Sequence, residues 1–173
     1  NFADSDHGFT TMMCDDEGEP VWQYGVDDTY GTVWGTILNG DYVSNAGEAL
    51  VSPTFMVDAA SYLVEVYHFY ATENNYDGLN VAVNGTVVEP VAGYDVAELN
   101  PSTNYYAWCV DGEPGFTDDL NPDFITTCFD LSAFMGEDVA IEFTFGSDSS
   151  VTYPGWYLAS VKVGAAVVST ESA

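Results

Sequence analysis

Val81-Ala82-Val83-Asn84-Gly85-Thr86-Val87-Val88 is the stretch that sets the fold class. Two short apolar runs flank Asn84-Gly85. Both central residues of a two-residue hairpin turn must tolerate positive φ, and Asn and Gly do so at least cost, so the stretch predicts an antiparallel hairpin. The same grammar recurs outward along the chain. Alternating or continuous apolar runs bounded by turn residues predict strands over Ala49–Met56, Tyr62–Ala71, Leu79–Asn84, Thr86–Val91, Tyr105–Val110, Ile125–Leu131, Val139–Gly146 and Trp156–Val168. Helical periodicity is nearly absent. The reading is all-β, an antiparallel β-sandwich, and a length of 173 residues suits one such domain.

Charge limits the partners. The chain carries 28 Asp plus Glu against one basic residue, Lys162, for a formal net charge of −27. Nucleic-acid binding needs Lys and Arg to displace counterions from phosphates, and an anionic membrane surface repels such a chain. Partners are therefore cations, neutral sugars, proteins or further copies of the chain. Hydrophobic residues at 47% separate it from disordered acidic tails and supply a large core. The carboxylates must then crowd the surface, and their repulsion is relieved by salt or divalent cations. That points to saline or calcium-rich surroundings. A start at Asn1 instead of Met reads as a processed, secreted chain.

Cys14, Cys109 and Cys128 form an odd set with no zinc-site spacing. A Cys109–Cys128 disulfide is favoured, because both lie in apolar strand-like stretches flanking one long loop. Cys14 is then a buried thiol or an intermolecular link, and its pairing with one of the others stays open. The stretch Gly112–Asp123, rich in Gly, Pro, Asp and Asn, reads as a long excursion off the sandwich.

Several segments resemble one family in its own order. Trp22-Gln23-Tyr24-Gly25, Trp34-Gly35-Thr36 and Leu38-Asn39-Gly40-Asp41-Tyr42 resemble the opening of the jelly-roll domains of immune inhibitor A-type metallopeptidases. Such domains also occur in choice-of-anchor J surface proteins and are related to MAM domains. Leu50-Val51-Ser52-Pro53, Tyr67-His68-Phe69-Tyr70, Tyr76-Asp77-Gly78, Phe129-Asp130-Leu131-Ser132, the run from Phe143 to Asp148 and Gly155-Trp156-Tyr157 continue the resemblance. It implies an antiparallel jelly-roll β-sandwich, used as an accessory module on many proteins, so it speaks for fold more than for function. In related jelly rolls an acid near the first strand and one on the last can share a structural calcium. Here Ala3 follows Phe2, and Ala159 and Ser160 follow Leu158. The resemblance thus implies a site that is absent or rebuilt from Asp4 and Asp6.

No His-Glu-x-x-His, Gly-x-Ser-x-Gly or phosphate-cradling glycine loop is present, and His68 falls in an aromatic strand as a packed core residue. The chain reads as no enzyme. Calcium is the cofactor that abundant hard oxygen ligands suit. Its candidate clusters are Asp4/Asp6, Asp15/Asp16/Glu17, Asp27/Asp28 and Asp118/Asp119/Asp123. A sugar would use aromatic platforms beside amides and carboxylates; the candidates are Trp34, Tyr42, Tyr105, Tyr106 and Trp108, with Tyr105, Tyr106 and Trp108 foremost. Asn84-Gly85-Thr86 is a glycosylation sequon at a hairpin tip. The apolar run Val161–Val168 and the segment Asn1–Thr11 could each complete the chain's own sheet or add a strand to another copy. The expected function is a secreted, non-catalytic module of adhesion or extracellular structure at the cell surface, with self-assembly into a polymer or filament as one form of it. The alternatives are a carbohydrate-binding accessory domain and a non-catalytic piece of a secreted metallopeptidase.

Overall fold

The computed structural model describes residues 1–14, 16–101, 106–120 and 123–165. The strands are β1 (Thr10–Met13), β2 (Trp22–Asp27), β3 (Gly31–Thr36), β4 (Gly47–Val51), β5 (Phe55–Met56), β6 (Leu63–Ala71), β7 (Gly78–Val83), β8 (Thr86–Val87), β9 (Ile125–Asp130), β10 (Asp138–Val139), β11 (Ile141–Gly146) and β12 (Gly155–Gly164). One sheet has the order β1-β4-β11-β7-β8, the other β2-β3-β12-β6-β9, and β5 and β10 form a small pair. All ladders between these strands are antiparallel. From β3 onward the chain crosses between sheets at β3–β4, from β4 to β6 by way of β5, at β6–β7 and β8–β9, from β9 to β11 by way of β10, and at β11–β12, which is the jelly-roll order.

Period-two alternation builds the core. Inward residues of the first sheet, Leu50, Leu79, Val81, Ile141, Phe143 and Phe145, meet Trp22, Trp34, Val64, Val66, Trp156 and Leu158 of the second. Asn84 (φ 48°) and Gly85 (φ 82°) turn the β7–β8 hairpin as the sequence predicts. The Asn84 side chain is exposed, and its amide is already engaged: Nδ2 donates to the Asp138 carbonyl and Oδ1 accepts from the Ala140 N–H.

The outer face of the first sheet is shaped by a row of glycines. Gly146 of β11 sits opposite Gly47 of β4 on one side and Gly78 of β7 on the other. A Cβ on Gly47 would stand 2.6 Å from Trp108 Cβ, one on Gly146 would collide with the Trp108 carbonyl, and one on Gly78 would meet Leu99. Without side chains there, Leu99, Trp108, Cys109 and Val110 pack directly on the sheet. The described part of the excursion foreseen over Gly112–Asp123 folds back onto the sandwich, and Phe116 enters the core. Tyr106–Val110 is not a strand: Cys109 takes φ 69° in a tight turn in which the Val110 N–H donates to the Trp108 carbonyl.

This placement corrects the expected disulfide. Cys109 is bonded to Cys14, with Cα atoms 5.7 Å apart, and Cys128 is the free cysteine. The Cys14 N–H donates to the Gly47 carbonyl at the first sheet, beside the segment that lies on the glycine row. Cys128 stands in β9 opposite Glu65, at the far edge of the second sheet. Sequence proximity favoured Cys128, but the two belong to different layers.

The strands β2 and β3 were not foreseen, because Gly25, Gly31 and Gly35 break the apolar pattern, and β1, Thr10-Thr11-Met12-Met13, is too short and exposed to alternate. The terminal segments, which could complete their own sheet or be donated, pair within their own sheets: β1 with β4, and β12 with β3 and β6. Residues 166–168 of the apolar C-terminal run lie outside the described residues.

The pairing predicts that iodoacetamide labels Cys128 alone in the native oxidised protein, and that non-reducing peptide mapping joins Cys14 to Cys109. Closing a loop with a sequence separation of 95 is expected to contribute about 2–5 kcal/mol, so Cys14→Ser should lower the melting temperature markedly. A Cys109–Cys128 peptide pair would contradict the structure.

Candidate functional site

Two groupings of side chains stand out. The first is a carboxylate cluster at one end of the first sheet. Asp77 immediately precedes β7 and Asp148 follows β11 by two residues, so the Gly78–Gly146 pairing brings them side by side. Glu73 completes the group: one oxygen from each carboxylate lies within 4.8 Å of the others, the only such trio among the described residues. Asp77 and Asp148 are buried, and Glu73 Oε2 is shut off from solvent with no hydrogen-bond partner. Asp77 Oδ2 accepts from the Tyr42 hydroxyl at 2.6 Å and Oδ1 from the Asp148 N–H at 2.7 Å. The Tyr42 hydroxyl in turn accepts from the Glu73 N–H.

No cationic side chain serves this cluster. Lys162 pairs with Glu65 at 3.4 Å elsewhere. Burial pushes the Asp77 carboxyl up to about 7, with the Tyr42 and Asp148 hydrogen bonds opposing and repulsion from Asp148 and Glu73 adding to the rise. Burial, then Asp148, also raises Glu73. The arrangement can hold a shared proton or a hard cation with oxygen ligands.

The second grouping lies on the outer face of the second sheet. Along β6, Val64, Val66, His68 and Tyr70 point inward, so Glu65, Tyr67 and Phe69 point outward. Phe69 joins Val33, Ala71 and Tyr157 in a separate apolar layer, covered in part by Tyr30, Leu38 and Phe124. Tyr30 stacks on Phe69 at 5.2 Å and touches Tyr157 at 4.5 Å between centroids; Phe124 lies 5.6 Å from Tyr30 and 5.2 Å from Tyr67. Gly25 and Gly35 make room for Leu38 at one side: a Cβ on Gly35 would stand 2.9 Å from its methyl group. Next to Tyr30 and Tyr157, the residues Asp27, Asp28, Asn39 and Asp41 line a cavity of about 320 Å³.

The candidate residues from the sequence are dispersed. Asp4 is exposed in the N-terminal turn, and Asp6 Oδ1 accepts from the Gly8 N–H nearby. Asp118 Oδ1 accepts from the Leu120 N–H, while Asp119 and Asp123 are exposed. None of these five belongs to the trio within 4.8 Å. Asp15 lies outside the described residues. Asp27 is buried and serves backbone N–H groups of Thr29, Tyr30 and Asn39. Trp34 and Tyr42 are core residues. Tyr105 lies outside the described residues; Tyr106, 52% exposed, meets Trp108 edge to face at 4.9 Å on the segment held by the disulfide.

His68 is fully occupied. Its Nδ1 accepts from Trp156 Nε1, so Nε2 carries the proton and donates to Thr127 Oγ1, and burial holds its pKa down at about 3. Neither a protein-family model nor a curated protein matches the chain.

The raised Asp77 value sets a pH dependence. Its folded pKa of about 7 exceeds the ordinary aspartate value of 3.8, so the stabilisation is fully present below about pH 4 and lost as pH rises through about 7. His68 acts oppositely, because a buried neutral imidazole destabilises the fold as pH falls below its unfolded value. The isolating measurement is therefore the difference between wild type and Asp77→Asn, in chelator, from pH 4 to pH 8. We expect the variant to gain on wild type across that window, by a few kcal/mol at most. A constant difference would contradict the protonated cluster.

Proposed function

We propose that this chain is a secreted, non-catalytic module whose work is adhesion or extracellular structure. The observation that carries this reading is the aromatic layer on the outer face of the second sheet. A sandwich needs one apolar face per sheet to close its core, and the other faces water. Here β6 places apolar rings on both faces, and the outward set ends in Tyr67, which is 45% exposed. Exposed aromatic groups rimmed by polar residues mark contact surfaces. The jelly-roll strand order agrees with the resemblance to MAM-like accessory domains, which supports a recognition module.

Self-association is the second form of the reading, favoured by β1. This edge strand, Thr10-Thr11-Met12-Met13, is exposed along its length and carries no charge, whereas edge strands are ordinarily guarded by charge, proline or a bulge. In a chain of net charge −27, an uncharged edge is where a second copy can approach at least cost. Calcium would assist by bridging acidic surfaces, and the Glu73–Asp77–Asp148 cluster is the place where buried charge asks for a counterion.

Beads coated with the protein test adhesion. Retention on polysaccharide- or protein-coated surfaces that falls with Tyr67→Ala supports the reading. Light scattering in calcium and then chelator tests self-association: particles larger than the 18.7 kDa chain that disperse in Thr11→Lys are expected if β1 mediates it. A monomer under both conditions removes self-association, and a monomer that is retained on no surface overturns the reading as a whole.

A further inference from the structure

We infer that the outer face of the second sheet binds a neutral glycan chain, one sugar ring resting against Tyr30 in the Asp28–Asp41 cavity and others running along Phe124 and Tyr67. The inference rests on the adhesion reading and names its ligand class.

Sugar rings are amphipathic. Their C–H faces pack on aromatic rings, and their hydroxyls need acceptors at the rim. The cavity supplies both. Tyr30 and Tyr157 form its apolar side, and Asp28 and Asp41 stand at its polar side. The rigid parts are already committed. Asp27 accepts three backbone N–H groups, and Asn39 accepts from the Asp28 N–H through Oδ1 and donates to the Val26 carbonyl through Nδ2. These bonds fix the walls, and Asn39 takes φ 59° to do so. The exposed carboxylates of Asp28 and Asp41 are left as acceptors for hydroxyl donors.

The platform continues beyond one sugar. Tyr30, Phe124 and Tyr67 follow one another at 5.6 and 5.2 Å between centroids, and the last is the most exposed. The rings are turned 62° and 42° from one to the next, so an elongated ligand whose faces twist along its length fits this row. Anionic glycans are disfavoured by the net charge of −27. A cationic peptide would rely on exposed ion pairs to Asp28 and Asp41, worth about 0–1 kcal/mol each, and would leave the row of rings with little to do. The larger cavity of about 530 Å³, between Val87, Tyr94 and Pro114, offers one ring with Glu89 and Glu113 and no such row.

The test is calorimetric titration of the whole chain with cellohexaose, xylohexaose, laminarihexaose, mannohexaose and chitohexaose, beside oligolysine. We expect at least one hexasaccharide to bind at millimolar or tighter affinity. Tyr67→Ala should weaken it by about tenfold, the order of one lost aromatic contact. Asp41→Asn should weaken it less, and Met56→Ala, on the small β5–β10 pair, should leave it unchanged. Tyr67 is 45% exposed, so its loss leaves the core intact. Tyr30→Phe, which keeps the ring, should retain binding. No binding by any hexasaccharide, or binding indifferent to Tyr67→Ala, overturns the inference. Oligolysine binding lost in Tyr67→Ala, without glycan binding, would overturn it while leaving the adhesion reading in place; failure of bead retention on every surface would remove that reading as well.

Discussion

Twenty-eight carboxylates share one ammonium in this chain, so ion pairing cannot stabilise its polar interior. Buried and half-buried acids are held instead by N–H and O–H donors. Glu48 points into the sandwich from β4 and accepts the Val21 and Trp22 N–H groups, tying the entry of β2 to the opposite sheet. Asp27 gathers three N–H groups and so fixes two loops. Asp95 links the Tyr70 hydroxyl to the Thr117 N–H. Asp77 joins Tyr42 to Asp148 across one end of the first sheet. A carboxylate accepting backbone N–H bonds makes a strong, charge-assisted contact without a basic residue. This lets a polyanion keep an ordered sandwich, with the remaining acids left in solvent.

The two outer faces follow from small residues as much as large ones. On the first sheet, Gly47, Gly146 and Gly78 form a bare row, and Leu99, Trp108, Cys109 and Val110 fill it beside the Cys14–Cys109 bond. On the second sheet, Gly25 and Gly35 admit Leu38 and the Tyr157 ring at one side, while Tyr30 and Phe124 cover the rest of that layer only in part. The chain itself covers the glycine end of the first face, beside a cavity of about 430 Å³ whose lining includes Ala49, Ala82 and Thr144 but no aromatic ring. The other face retains exposed ring surface beside a polar cavity, and the proposed recognition is placed there for that reason.

Much of the fold could be read from residue pattern. The Asn84-Gly85 turn, the alternation of β6 and the apolar run of β11 are local signals, and they mark strands of the observed sandwich. The strands β2 and β3 were obscured by glycines whose missing side chains are compensated by Leu38 and Tyr157, residues distant in sequence or in another strand. The disulfide depended on which layer each cysteine joins, and no spacing rule carries that. The carboxylate trio depended on the Gly78–Gly146 register; its only trace in sequence was acidic residues abutting apolar strands in Tyr76-Asp77-Gly78 and Phe143–Asp148. The outer aromatic layer did leave a signal. Tyr67-His68-Phe69-Tyr70 is aromatic at consecutive positions, which forces rings onto both faces of a strand.

Stability against salt tests the central constraint most directly. If carboxylate-to-donor bonds hold the fold and unpaired surface acids strain it, added sodium chloride screens the repulsion and spares the buried contacts. Thermal unfolding in chelator should therefore show a melting temperature that rises steadily with sodium chloride. A melting temperature that stays flat or falls as salt is added would mean that repulsion among the surface acids does not strain the fold, and would contradict the account.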